Sequence, residues 1–137
     1  MKNNRNEINR PIKIDMSLIN RAKVYKKEES QTIIHCNYVA PERFDKGGWV
    51  NINSTTFLIN ETGKQRVKLI HNENIPIAPD KHYFLKPGEK MRFTLIFQSI
   101  PKTWNRFSLC EKTLIGDGFV VNDIFKNKSG VYEININ

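Results

Sequence analysis

From Gln31 to Ile136 the chain is interrupted about every ten residues by a turn signal, and between interruptions its apolar residues recur at every second position. The clearest run starts at Met91. There Met91, Phe93, Leu95 and Phe97 alternate with Arg92, Thr94 and Ile96. Gln31 to Ala40 sorts the same way, with Ile34, Cys36 and Tyr38 on one face and Ile33, His35 and Asn37 on the other. Successive side chains of a strand point to opposite faces, so this is the period of strands packed on one side against a core. No stretch of useful length carries the spacing of an amphipathic helix.

Further strands are expected at 17–27, 49–53, 55–60, 65–71, 106–111, 118–124 and 130–136, with a short edge strand at 82–85. Glu61-Thr62-Gly63-Lys64 forms a hairpin turn between two of them. The prolines of Ile75-Pro76-Ile77-Ala78-Pro79 oppose a place inside a sheet. Eight or nine short strands with regular turns predict an all-β fold, specifically an immunoglobulin-like, two-sheet antiparallel β-sandwich. At 137 residues the chain fits one domain, long enough to bury a core without metals or dense disulfides. Residues 1–16 are polar and Asn-rich. They read as a flexible basic leader or linker, leaving 17–137 as the sandwich.

The formal charge is +8. Residues 1–28 hold eight basic and three acidic side chains, a net of +5, and the remainder holds fourteen and eleven, a net of +3. Such a surplus draws anionic partners: nucleic acid, anionic lipid or acidic glycan. Two roles stand open for the N-terminal cations, among them Lys23, Lys26 and Lys27. They guard an edge strand against aggregation, or they bind an anionic surface. No apolar run approaches the roughly 18 residues of a membrane span, and Met1 to Glu7 lacks the apolar segment of a signal peptide. The expected compartment is the cell envelope if a signal segment has been removed, and the cytoplasm otherwise.

Cys36, Trp49 and Cys110 are spaced by 49 − 36 = 13 and 110 − 36 = 74 residues. Those gaps are similar to antibody-type domains, in which a Trp packs on an inter-sheet disulfide. Phase argues against the bridge. Phe107 and Leu109 should face the core, which turns Cys110 outward, and Ser108 stands where such domains carry a tyrosine. Two free thiols are the expectation.

No catalytic, cofactor-binding or metal-binding residue is assigned. His35, His71 and His82 stand at no metal-ligand spacing from each other or from a cysteine. Cys-x-x-Cys and Gly-x-Ser-x-Gly do not occur. The carboxylates Asp80, Glu89, Glu111, Asp117 and Asp123 are scattered, and Gly47-Gly48 and Gly116-Asp117-Gly118 read as turns. Three side chains are candidate partner contacts. Trp104, in a loop after Pro101, either anchors a sugar or protein partner or covers an open end of the sandwich. His82 and Tyr83 form a contact surface or pack an edge strand.

A resemblance rests on an ordered series of short motifs. They are Gly48-Trp49-Val50-Asn51-Ile52, Phe57-Leu58, Gly63-Lys64, Ile75-Pro76-Ile77, His82-Tyr83-Phe84 and Gly88. Phe93-Thr94-Leu95-Ile96-Phe97, Ile100-Pro101-Lys102, Phe107-Ser108-Leu109-Cys110-Glu111, Gly118-Phe119 and Asn122-Asp123-Ile124 follow. In their order and spacing they resemble a domain of Bacteroidetes envelope proteins that sometimes precedes a thioredoxin-like domain. The resemblance implies an immunoglobulin-like sandwich with an accessory or binding role and no catalytic residues. The expected function is therefore a non-enzymatic accessory or interaction domain, without cofactor. It would bind a protein or glycan partner through an edge strand or end loops. The alternative is a sequence-independent binder of nucleic acid or anionic surfaces through the basic N-terminus.

Overall fold

The structure, a computed structural model, describes residues 31–112 and 117–136. The expected leader, the strand at 17–27 and the cations Lys23, Lys26 and Lys27 lie outside the described residues. Among the described residues there are nine strands and no helix. They are β1 (Gln31–Val39), β2 (Trp49–Val50), β3 (Phe57–Asn60), β4 (Arg66–Glu73), β5 (His82–Tyr83), β6 (Lys90–Gln98), β7 (Arg106–Lys112), β8 (Asp117–Phe125) and β9 (Val131–Ile136).

The two-residue period sorts the side chains as the alternation requires. On β1, Thr32, Ile34, Cys36 and Tyr38 are buried while their neighbours face outward. On β6 the buried set is Phe93, Leu95 and Phe97. The β3–β4 hairpin turns at Gly63 (φ 76°), closed by the Asn60 N–H donating to the Gln65 carbonyl at 3.0 Å.

Seven strands join one sheet in the order β9-β1-β6-β4-β3-β7-β8, and β2 and β5 form a separate two-stranded ribbon. The pairings of β3 with β4, β3 with β7, β4 with β6, and β7 with β8 are antiparallel, and β9 lies parallel to β1. The sheet curls on itself toward a barrel. Tyr132 of β9, at one end of the order, meets Phe107 of β7 edge-to-face at 5.2 Å between ring centres. Tyr38 of β1 meets Phe119 of β8 at 5.6 Å. Strands from both ends of the order thus feed one core, which includes Ile34, Leu58, Leu95, Leu109 and Ile124. Each such side chain taken from water contributes about 1.5–3 kcal/mol before the cost of ordering it.

The spacing of Cys36, Trp49 and Cys110 does not build the antibody-type core. Trp49 faces outward on the ribbon, and Cys36 is a buried free thiol. Cys36 points into the core, whereas Cys110 occupies the outward phase of β7 between Leu109 and Glu111. The strand expected at 49–53 is also shorter. Past Val50 the ladder ends, and Ile52 makes a single parallel bridge to Ile77.

Candidate interaction surfaces

Two surfaces stand out, and each is set by local chemistry. The first is the seam between the ends of the sheet. Among the described residues, β8 and β9 each pair on one side only. They line a groove of about 600 Å³ formed by Gly118 to Asn122 with Asn135 and Ile136. A second groove of about 540 Å³ continues along Val121 to Phe125 and Val131 to Asn135. An edge strand presents a row of backbone N–H and C=O groups free of sheet pairing, a template for another strand.

Glu111 fixes the start of β8. Its side chain lies on the core phase of β7 and the residue is 6% exposed. The carboxylate accepts the Asn53 N–H at 2.7 Å through Oε2 and the Phe119 N–H at 3.0 Å through Oε1. A buried carboxylate requires such donors. Gly118 is part of the same contact, because a Cβ there would lie 2.6 Å from Glu111 Oε1 and from the Glu111 carbonyl oxygen. Further along, β8 bulges. Leu109 pairs with Val121 but Phe107 with Ile124, so β8 holds one extra residue, and Asp123 adopts φ 60°. Ser108 Oγ–H donates to Asn122 Oδ1 at 2.9 Å, and Arg106 reaches Asp123 at 3.5 Å, which hold the bulge in place. Bulges bend a strand and end regular pairing. A second register shift falls between Asp117 and Val120, so ahead of the bulge regular pairing of β8 is confined to Val120 and Val121, where Val120 is 56% exposed.

The second surface is the outer face of the ribbon. Trp49 pairs with Tyr83 and Val50 with His82. Alternation sends Val50 and Phe84 inward, and His82 stacks edge-on against Phe84 at 5.0 Å. Trp49, Tyr83 and Leu85 point outward at 49%, 65% and 83% exposure. Phe44, also exposed, lies beside Gly48, its ring 3.0 Å from where a Gly48 Cβ would stand; Gly48, at φ 72°, leaves that space open. Two cations cap these rings. Lys81 Nζ sits 4.8 Å from the Trp49 ring centre and the Arg43 guanidinium 4.8 Å from that of Phe44.

Of the expected contact residues, Tyr83 and His82 are together on the exposed ribbon. Trp104 is elsewhere and is not an exposed loop side chain. It is 1% exposed, packs 6.2 Å from Phe107, and donates its indole N–H to Gln65 Oε1 at 3.0 Å. It covers the core, the competing role that the sequence left open. Sequence reading passed over Trp49 and Leu85 as surface residues, and Glu111 as a buried one. Trp49-Val50-Asn51-Ile52 alternates, yet alternation does not say which phase faces water.

Among the described residues no three His, Cys, Asp or Glu side chains converge to hold a metal ion. His35 Nδ1 is instead hydrogen-bonded to Thr94 Oγ1 at 2.8 Å, and His71 lies 3.5 Å from Glu73. Burial, with the charge of Glu133 adding to it, pushes the Cys36 thiol up to about 12. It is therefore a packed apolar group at neutral pH and not a thiolate nucleophile. Comparisons with protein-family models, with curated proteins and with solved structures each find no match to this chain.

Proposed function

We propose that this is a non-enzymatic accessory or interaction domain of immunoglobulin-like kind, and that it takes an extended segment of a protein partner along the free edge of β8. The observation behind this reading is the seam: the two end strands of the sheet, each paired on one side only among the described residues, line the same groove. Strand addition gives affinity through main-chain hydrogen bonds and specificity through alternate side chains. Each such bond is worth a net of about 0.5–1.5 kcal/mol, so apolar contacts such as one at Val120 must join them to exceed the cost of association. The groove favours a polypeptide over a glycan, because a glycan carries no repeating N–H and C=O to match the edge. The accessory role implied by the envelope-domain resemblance agrees with this reading.

The test is capture from native cell extract by the full chain, at low and at high salt. A strand-addition complex persists at high salt, because neutral backbone bonds are weakly screened. Val120→Lys places a charge on the edge and should lower capture about tenfold while thermal stability stays near that of the parent. Capture that disappears at high salt and ignores Val120→Lys would remove the edge as the site and favour the basic N-terminus.

A further inference from the structure

The ribbon face has the make-up of a membrane-contact patch, and it owes nothing to the seam. Phe44, Trp49, Tyr83 and Leu85 are all large, apolar or amphipathic, and exposed. They lie apart from both grooves of the seam. A Leu at 83% exposure gains little from a sugar, which stacks on rings, and a great deal from hydrocarbon. Trp and Tyr settle at the boundary between headgroups and acyl chains, where one end of the ring is dry and the other wet.

The charges fit the same partner. Arg43 and Lys81 have no ion pair among the described residues, and each sits on an exposed ring. A cation on a ring at this level lies where lipid phosphates would be when the ring is inserted. The segments 42–49 and 80–90 hold five cations (Arg43, Lys46, Lys81, Lys86, Lys90) and four carboxylates (Glu42, Asp45, Asp80, Glu89). One of those carboxylates, Glu89, is turned back to accept the Leu85 N–H at 2.9 Å. The local surplus is small, while the whole chain carries +8. Five of those eight charges belong to residues 1–28, so at the patch itself Lys81 and Arg43 supply the attraction to anionic headgroups, and the exposed rings and Leu85 supply the insertion.

We infer that the outer face of the β2–β5 ribbon, through Trp49, Tyr83, Leu85 and Phe44 with Lys81 and Arg43, docks the domain on an anionic lipid surface. The occupant is the headgroup layer of a bilayer, with the rings and Leu85 reaching the upper acyl chains.

The experiment uses the full chain with vesicles of phosphatidylcholine alone, or with phosphatidylglycerol at about one lipid in four. Sedimentation should show binding to the anionic vesicles at least several-fold stronger than to the neutral ones. Trp emission should shift to the blue and be quenched by brominated acyl chains. Trp49→Phe should abolish that quenching, because Trp104 is buried. Leu85→Asp should lower partitioning about tenfold and Lys81→Glu a few-fold, at unchanged thermal stability. Leu85→Asn repeats the test with no added charge. Vesicle binding that ignores Leu85→Asp and Leu85→Asn and leaves Trp49 emission unmoved would overturn the proposal and place lipid attraction at the N-terminus. Equal binding to neutral vesicles, no binding at all, or loss of vesicle binding to competing acidic polysaccharide through Trp49 would overturn it as well.

Discussion

Trp104 lies against Phe107 with its indole N–H held by Gln65, while Trp49 keeps half its surface in water and carries Lys81 on its ring. Local sequence leaves both roles open for Trp104 and places Trp49 at the start of a strand without saying which way it faces. Trp104 follows Pro101 in a loop, where exposure is the usual state, and Trp49 opens an alternating apolar run. The difference teaches where the fold makes its decisions. A loop that crosses the end of a curled sheet covers core, and a two-residue strand outside that sheet has only one face to bury. Trp104 has both N–H groups bonded, the indole to Gln65 and the backbone to the Pro101 carbonyl, and its ring is removed from water. Around Trp49 the rings are offered outward with a cation on them, while Val50 and Phe84 on the opposite phase of the ribbon join the core.

The largest effect should separate the two tryptophans directly. Trp104→Ala deletes a core indole and leaves Gln65 without its donor, so urea unfolding should show a loss of about 3–5 kcal/mol. Trp49→Ala should stay within about 1 kcal/mol. Equal losses would break the comparison, because they would make the ribbon face part of the folding core. Glu111→Ala comes next. It strands the Asn53 and Phe119 N–H groups in a buried site, at a cost of about 2–4 kcal/mol, and Glu111→Gln, which keeps one acceptor oxygen, should lose less. Gly118→Ala forces a methyl onto the Glu111 carboxylate and carbonyl and should cost roughly 1–3 kcal/mol. No residue of the ribbon's outer face should approach these values when truncated.

The smallest effect is a pH dependence. The Cys36 thiol is held up at about 12 in the folded chain, against 9.0 as its ordinary value. Between those values the unfolded chain loses the proton and the folded chain keeps it. Stability is therefore full below pH 9 and falls as the pH rises, by about 1.4 kcal/mol at about pH 10 from this group alone. Tyr38 and Tyr132, also raised by burial, steepen the fall at still higher pH. Cys36→Ala should lower stability at neutral pH and flatten this slope, which denaturant midpoints across the alkaline range would show. An unchanged slope would mean that Cys36 is not the group responsible.

Much of the strand content was legible because its signal is local. The alternation through Ile34, Cys36 and Tyr38, and through Phe93, Leu95 and Phe97, assigns both the strand and its buried face from a few neighbouring residues. The outward phase of Cys110 followed from Phe107 and Leu109 in the same way. Strand order was not legible. That Tyr132 meets Phe107, or that β9 runs parallel beside β1, depends on contacts between distant segments that no local period encodes. The same holds for the contact surfaces. Tyr83 and His82 were named from composition, but the pairing of Tyr83 with Trp49, and the Lys81 ammonium over that ring, arise only when two distant segments meet. Glu111 was one carboxylate among several in the sequence. Its burial comes from two backbone donors, 58 and 8 residues away.

The central claim, that the free edge of β8 is where a partner strand binds, is tested most directly by a photoreactive side chain placed at Val120 of the full chain, with one at Leu85 and one at Gln65 for comparison. In native extract the Val120 position should cross-link to an extended segment of a protein partner, at high as at low salt, and the Gln65 position, beside buried Trp104, should not. Cross-linking of that same partner from Leu85 but not from Val120, or from neither, would contradict the account.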